Sequence, residues 1–288
     1  MNFNNPTWAR RHEKTLNDFI PMYVEFLIQR QLSKKSLENR QAILNRLSNE
    51  LGDRALMAIS PKMLQTFISG YEERGTISAA QAAHMVLGDL FREAWIDGYV
   101  TYSPALPLRF PRSNIKRSRL SAPDWAEMLE HAEKMKRSYL PHAMRIAVIT
   151  AQRRGDIAAM RRDDIWEDHL HIKQQKTGYM LALPLALKCP LSGDELGHVL
   201  ESCPGTDFLL GKQQVKPGSL STAFKLARNH LFPDRWRNPP TFHEQRSLSA
   251  RLHSPSGLDI QRLMGHKFPE ETSKYSFNRG LDWNYLTL

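Results

Sequence analysis

The 288-residue chain has only two cysteines, Cys189 and Cys203. That is too few for a disulfide framework or a cysteine-built zinc site, so both are expected to be plain thiols in a reducing compartment. No apolar run approaches the ~18 residues of a membrane span, and the polar start Met1-Asn-Phe-Asn-Asn-Pro-Thr-Trp-Ala-Arg-Arg11 has no signal-peptide core. A cytoplasmic protein without membrane contact is expected. Gly211-Lys212 lacks both the following Ser/Thr and the upstream glycine of a phosphate-binding loop. No cluster of acids invites a two-metal centre. Internal repeats and low-complexity tracts are also missing, and 41% hydrophobic against 24% charged residues excludes a mostly disordered chain.

What is abundant is positive charge. Forty Lys and Arg stand against thirty Asp and Glu, a net charge of +10. A field of that sign favours a polyanion as partner, although a basic protein can also be merely soluble. The densest stretch, Arg109-Phe-Pro-Arg-Ser-Asn-Ile-Lys-Arg-Ser-Arg119, holds five bases and no acid.

The length predicts two domains. Helical periodicity marks Thr15–Gln31, with Phe19, Met22, Tyr23, Phe26 and Leu27 on one face, and Ser36–Leu51, with Leu37, Leu44, Leu47 and Leu51. Ser60-Pro61 opens a third helix that Gly75 closes, and Ser78 is expected to cap a fourth. Four short helices make a small bundle over residues 1–110. Residues 111–120 form a basic linker, and Ser121-Ala-Pro-Asp124 starts a second domain, 121–288. Helices are expected there near 122–137, 140–151, 219–231, 241–253 and 256–265. The alternation in His169–Gln175, the turn Lys176-Thr-Gly178 and the run Met180–Leu185 predict a β-hairpin.

Three distant segments carry chemistry: Thr150-Ala-Gln-Arg-Arg154, Thr241-Phe-His-Glu-Gln-Arg246, and Gly265-His266 followed nine residues later by Tyr275. With the hairpin Lys176, their order and spacing resemble the tyrosine recombinase (phage integrase) family, specifically its lambda-type integrases, from about residue 15 to the C-terminus. Each motif alone is weak; the set is specific. The resemblance implies a mainly α fold with a small antiparallel β-sheet, arranged as a two-domain DNA clamp: a helical core-binding domain plus a catalytic domain. It implies site-specific cleavage and rejoining of double-stranded DNA, integrating or excising a phage or mobile element, by a homotetramer acting through a Holliday junction. A DNA-bending host factor and a directionality factor are further partners it allows. No cofactor and no metal are implied. Two alternatives are a type IB topoisomerase-like enzyme and a catalytically silent DNA-binding protein of the same fold.

By the same resemblance Arg153 and Arg246 clamp the scissile phosphate, whose transition state carries extra charge that guanidinium groups can meet with paired hydrogen bonds. His243 and His266 add hydrogen bonds and help take the phenol proton. Lys176 protonates the leaving 5′-oxygen, and Tyr275 is the nucleophile. Lys34, Lys35, Arg112, Lys116, Arg117 and Arg119 are the expected DNA contacts. The residues themselves leave choices open: Arg154 beside Arg153, Tyr179 or Tyr285 in place of Tyr275, and His169 with His171 as a weak metal pair. Asp156 is expected to anchor the loop that aims Arg153. Two positions depart from the family pattern: Ala151 replaces a glycine before the clamp Arg, and Gln245 replaces an inward-packing Leu. Lambda-type integrases also carry an N-terminal arm-binding domain. Here about 14 residues, Arg10, Arg11 and Lys14 among them, precede the first helix, so either arm binding is dispensed with or a longer native form exists. Residues 281–288 are apolar enough to add a strand to a neighbour's sheet.

Overall fold

A computed structural model describes residues 14–112 and 118–276. The chain divides into two compact units, Met1–Asn114 and Ile115–Leu288. Lys116, Arg117, Arg10, Arg11, Tyr285 and the 281–288 segment lie outside the described residues.

Among the described residues of the first unit there are four α-helices: α1 (Leu16–Gln29), α2 (Lys34–Leu51), α3 (Pro61–Glu72) and α4 (Ile77–Ile96). Local signals set most of their starts. Thr15 forms a capping box with Asp18, and Ser60 accepts from the Met63 amide ahead of Pro61. The fourth start differs from expectation. Thr76, not Ser78, occupies the cap position, and its hydroxyl donates to the Tyr71 carbonyl instead of capping. The core is built from Phe19, Tyr23, Leu47, Phe67, Leu87 and Phe91, all essentially buried.

The second unit surrounds α6 (Tyr139–Thr150), a helix buried over most of its surface, with Leu140, Met144 and Ile146 through Ile149 buried and only the face of His142 and Arg145 polar. Packed against it are α5 (Ala122–Lys134), the short α7 (Arg154–Ala159), α8 (Leu196–Glu201), α9 (Pro217–Leu231) and α10 (Glu244–His253). Two further helices, α11 (Ile260–Met264) and α12 (Pro269–Ser276), follow. The predicted hairpin is present as β2 (His169–Lys173) and β3 (Met180–Pro184), with His171 opposite Ala182. A short strand β1 (Ile165–Trp166) extends it to an antiparallel three-stranded sheet in the order β1-β2-β3. Residues 256–265, expected as one helix, are a 3₁₀ turn at Ser254–Ser256 and the five-residue α11. Gly257, at φ +75°, breaks the run.

Both family departures find a local solution. Ala151 ends α6 in the left-handed conformation at φ 55°, ψ 19°, so the turn that glycine makes elsewhere is kept at a cost of roughly 1 kcal/mol. Gln245 is fully buried. It accepts from Trp125 Nε1 at 2.8 Å and donates to the Phe242 carbonyl at 3.3 Å. A leucine there would leave the buried indole N–H without that acceptor.

Candidate active site

Five of the six expected catalytic side chains meet in the second unit. Arg246, on α10, is 1% exposed. One terminal nitrogen donates to the Ala151 carbonyl. The other reaches the Met264 carbonyl at 2.7 Å and His266 Nε2 at 2.8 Å. Its Nε is buried without a hydrogen-bond partner. Burial, and then the neighbouring Arg153 charge, pull this guanidinium from 12.5 down to about 10. It stays charged at neutral pH: its hydrogen bonds go to neutral groups, while Tyr275 and the Asp156 carboxylate favour its charge.

Arginine only donates, so His266 Nε2 must accept from Arg246, and Nδ1 then carries the proton donated to Thr272 Oγ1 at 2.9 Å. Burial, then the Arg246 and Arg153 charges, depress this imidazole to about 4. His266 is therefore neutral at pH 7 and orients Arg246 between α10 and α12.

Tyr275 projects from α12. Its hydroxyl lies 3.2 Å from His243 Nε2, within the reach required of a general base. Its ring centroid is 5.5 Å from the Arg246 guanidinium carbon and 5.4 Å from the His266 ring. The phenol oxygen thus has an imidazole for its proton and a buried cation beside its ring.

Arg153 reaches the site at the start of α7, and Nη1 donates to Gln174 Oε1 at 2.6 Å. Its charge is felt by both Arg246 and His266. Arg154 turns away to Ser221 on α9, so of the adjacent arginines it is Arg153 that bonds Gln174. Asp156, expected to anchor the loop that aims Arg153, instead ties down the hairpin: Oδ1 accepts from the Gln175 amide at 2.9 Å, at the base of the Lys176 turn.

Lys176 itself is exposed at the tip of that turn. It is the one expected catalytic group that the described contacts do not join to the cluster. Tyr179 leans on Gly265, its Cδ1 3.0 Å from where a Cβ there would stand. His171 stacks on Trp166 with ring centroids 3.4 Å apart. Among the described residues no group of three or more His, Cys, Asp or Glu could hold a metal. Both cysteines are buried free thiols, and burial pushes Cys203 up to about 11.

Sequence reasoning missed the hub. Gln174 is fully buried. Its Oε1 accepts from Arg153 and from Thr177 Oγ1, at 2.6 and 2.8 Å. Its Nε2 donates to Gln152 Oε1 and the Met264 carbonyl, at 2.7 and 2.9 Å. Since Met264 O also accepts from Arg246, the two arginines share one scaffold. Gly265 is required beside it: φ is +63°, and a Cβ would meet Gln174 Nε2 at 2.6 Å. The only sequence signal was a glutamine ending an alternating strand one turn from a glycine.

The expected DNA contacts divide. Lys34, Lys35 and Arg112 are exposed in the first unit, with Lys35 paired to Glu38 at 3.2 Å. Arg119 corrects the expectation. Its side chain is only 7% exposed. It donates to Glu244 Oε2 at 3.3 Å, Ser247 Oγ at 2.5 Å and the Lys274 carbonyl at 3.1 Å. A buried carboxylate outcompetes solvent for it, and it braces the residue before Tyr275.

Comparison with known proteins gives the chain a family. The family described as phage integrase matches residues 118–279. The chain is 34% identical to the integrase of Enterobacteria phage P21 over 298 residues, spanning 96% of this chain and 77% of that one. It is 36% identical to the prophage integrase IntE of Escherichia coli K12, covering 84% and 68% of the two chains. Among solved structures, a dimer of lambda integrase residues 75–356 bound to a COC′ core site matches with TM-score 0.88 at 31% identity, over 96% of this chain and 100% of that one. A lambda integrase tetramer bound to a Holliday junction matches with the same TM-score and identity, over 99% and 85%.

Proposed function

The chain belongs to the phage integrase family and is a site-specific tyrosine recombinase, an enzyme of DNA cleavage and strand transfer, and from that premise we propose how its residues divide the work. Tyr275 Oη attacks the scissile phosphorus as His243 Nε2 takes the phenol proton. The bond from phosphorus to the 5′-oxygen breaks, and Lys176 gives that oxygen a proton. A 3′-phosphotyrosyl ester remains, whose reversal by an incoming 5′-hydroxyl rejoins DNA with no external energy source.

Arg153 and Arg246 hold the extra charge on the non-bridging oxygens. Such preorganised donors are worth ~10²–10³ in rate each. His266, neutral and wedged against Thr272, fixes the Arg246 plane. The observation that carries this assignment is a phenol oxygen 3.2 Å from an imidazole beside a buried guanidinium whose Nε lacks a partner. A phosphate oxygen is the acceptor such a group lacks.

Residues 1–110 serve as the core-binding domain, 111–120 as linker and 121–288 as the catalytic domain. Lys34, Lys35, Arg112, Lys116 and Arg117 supply backbone contacts. The enzyme works in the host cytoplasm on a phage or mobile element, four protomers joining two duplexes through a Holliday junction. A bending factor and a directionality factor accompany it.

A nicked suicide duplex tests the assignment. The wild type traps covalent DNA, and Tyr275→Phe traps none. An adduct that persists in the Phe variant disproves the nucleophile.

A further inference from the structure

Beside the catalytic cluster the second unit has a cleft of about 460 Å³. Arg154, Lys225, Arg228 and His243 give it four basic side chains, Ser221 and Thr241 give it hydroxyls, Phe224 contributes an apolar wall, and no acid lines it. Ser221, Lys225 and Arg228 recur at helical spacing along one face of α9. Arg228 is buried and already committed to Asn229 and the Pro240 carbonyl, so it lends charge without a free hand. Arg154 and Lys225 are exposed. Arg154 rests on the Ser221 hydroxyl, and neither side chain forms a salt bridge among the described residues.

His243 lines the cleft, and its Nε2 lies 3.2 Å from the Tyr275 hydroxyl. Successive phosphates on one DNA strand advance only about 3.4 Å along the helix axis. A strand with its scissile phosphate beside His243 therefore brings its next phosphate to the mouth of this cleft.

We propose that the cleft is a second phosphate subsite, in which Arg154 and Lys225 grip the backbone phosphodiester adjoining the scissile one. The inference rests on the recombinase reading above. The hydroxyls of Ser221 and Thr241 supply the neutral hydrogen bonds that fix the oxygens, and the contact sets how far the strand slides past Tyr275. Nothing in this grip reads a base, so it acts on any target sequence.

The test uses the full chain and duplexes selected from random-sequence suicide DNA by covalent capture on the wild type. Each phosphate near the cleavage point is replaced singly by an uncharged methylphosphonate, and affinity is measured in a Tyr275→Phe background. Neutralising the adjoining phosphate should weaken binding about tenfold, the scale of a charged hydrogen bond. It should weaken binding no further once Arg154→Ala and Lys225→Ala are added. The double variant should also flatten the log–log salt dependence by about 0.9 per phosphate lost. Arg154→Lys with Lys225→Arg should retain the position-specific sensitivity. Equal methylphosphonate costs with and without the two alanines, or a loss spread evenly over all positions, overturn the subsite. Failure of the wild type to capture any DNA overturns the recombinase reading instead.

Discussion

Each unit gathers arginines around a tyrosine, and the two gatherings are opposites. In the first unit Arg30 and Arg40 converge on Asp89 at 3.1 and 2.7 Å, and Arg30 also meets Glu93 at 2.7 Å. Tyr23 closes the set by donating to Asp89 at 2.7 Å. Burial first, then the Asp89 hydrogen bond, drives the Tyr23 phenol well above its usual value. On Asp89 burial opposes ionisation, but hydrogen bonds from Tyr23, Arg30 and Arg40 outweigh it and keep the carboxylate low. Every charge there has a counter-charge. In the second unit no carboxylate lies within ion-pair distance of Arg153 or Arg246 among the described residues. Carbonyls, an amide and a neutral imidazole hold them. A compensated cluster is finished and does structural work; an uncompensated one waits for an anion.

Exchanging the defects breaks the comparison most sharply. Arg246→Met should lower the single-turnover cleavage rate by about 10²–10³-fold or more. Its melting temperature should fall less than that of the next variant, because a costly buried charge leaves with the side chain. A rate within tenfold of wild type would remove Arg246 from the clamp. Asp89→Asn should do the reverse. It strands Arg40, leaves Arg30 on Glu93 alone and costs about 2 kcal/mol in denaturant unfolding, discounted for their partial exposure, while the cleavage rate per folded molecule holds.

Acid should separate the units next. The folded-state His266 value, about 4, lies below the ordinary 6.5, so the unfolded chain binds the extra proton between those values. The stabilisation is complete above pH 6.5 and is lost as pH falls toward 4. Burial depresses His142 and His253 in the same unit as well. Hydrogen exchange should show the second unit loosening first over this window. His266→Gln should shallow the trend, and an unchanged slope would contradict the buried neutral imidazole.

The smallest effect concerns the strained turn. Ala151→Gly should raise stability by up to about 1 kcal/mol, since the left-handed strain relieved exceeds the added unfolded-state freedom. Arg246 stays on the same carbonyl, so cleavage should be unchanged. A loss of stability greater than 1 kcal/mol would mean the Ala151 methyl contributes packing that outweighs the strain.

Legibility followed range. The caps at Ser60 and Ser121 and the turn at Gly178 are bonds between near neighbours, so a window of a few residues contains them. The five- to eight-residue helices α7, α8, α11 and α12 are too short to show a period, and packing rather than pattern makes them. The five clustered candidate residues are legible as motifs, yet their support is not. Gln174 binds groups as far off as Met264, and Gln245 meets Trp125 from 120 positions away. Arg119 looked like any base in a basic run until Glu244 was placed beside it.

Composition and motif order alone determined a basic, mostly helical chain and the candidates for its reacting groups, because charge and functional-group chemistry travel with the residue. Which arginine of an adjacent pair meets Gln174, which imidazole stays neutral, and which cations lack a carboxylate partner were decided only when distant segments packed. Burial and neighbouring charge belong to a place in space, and no residue carries its place with it.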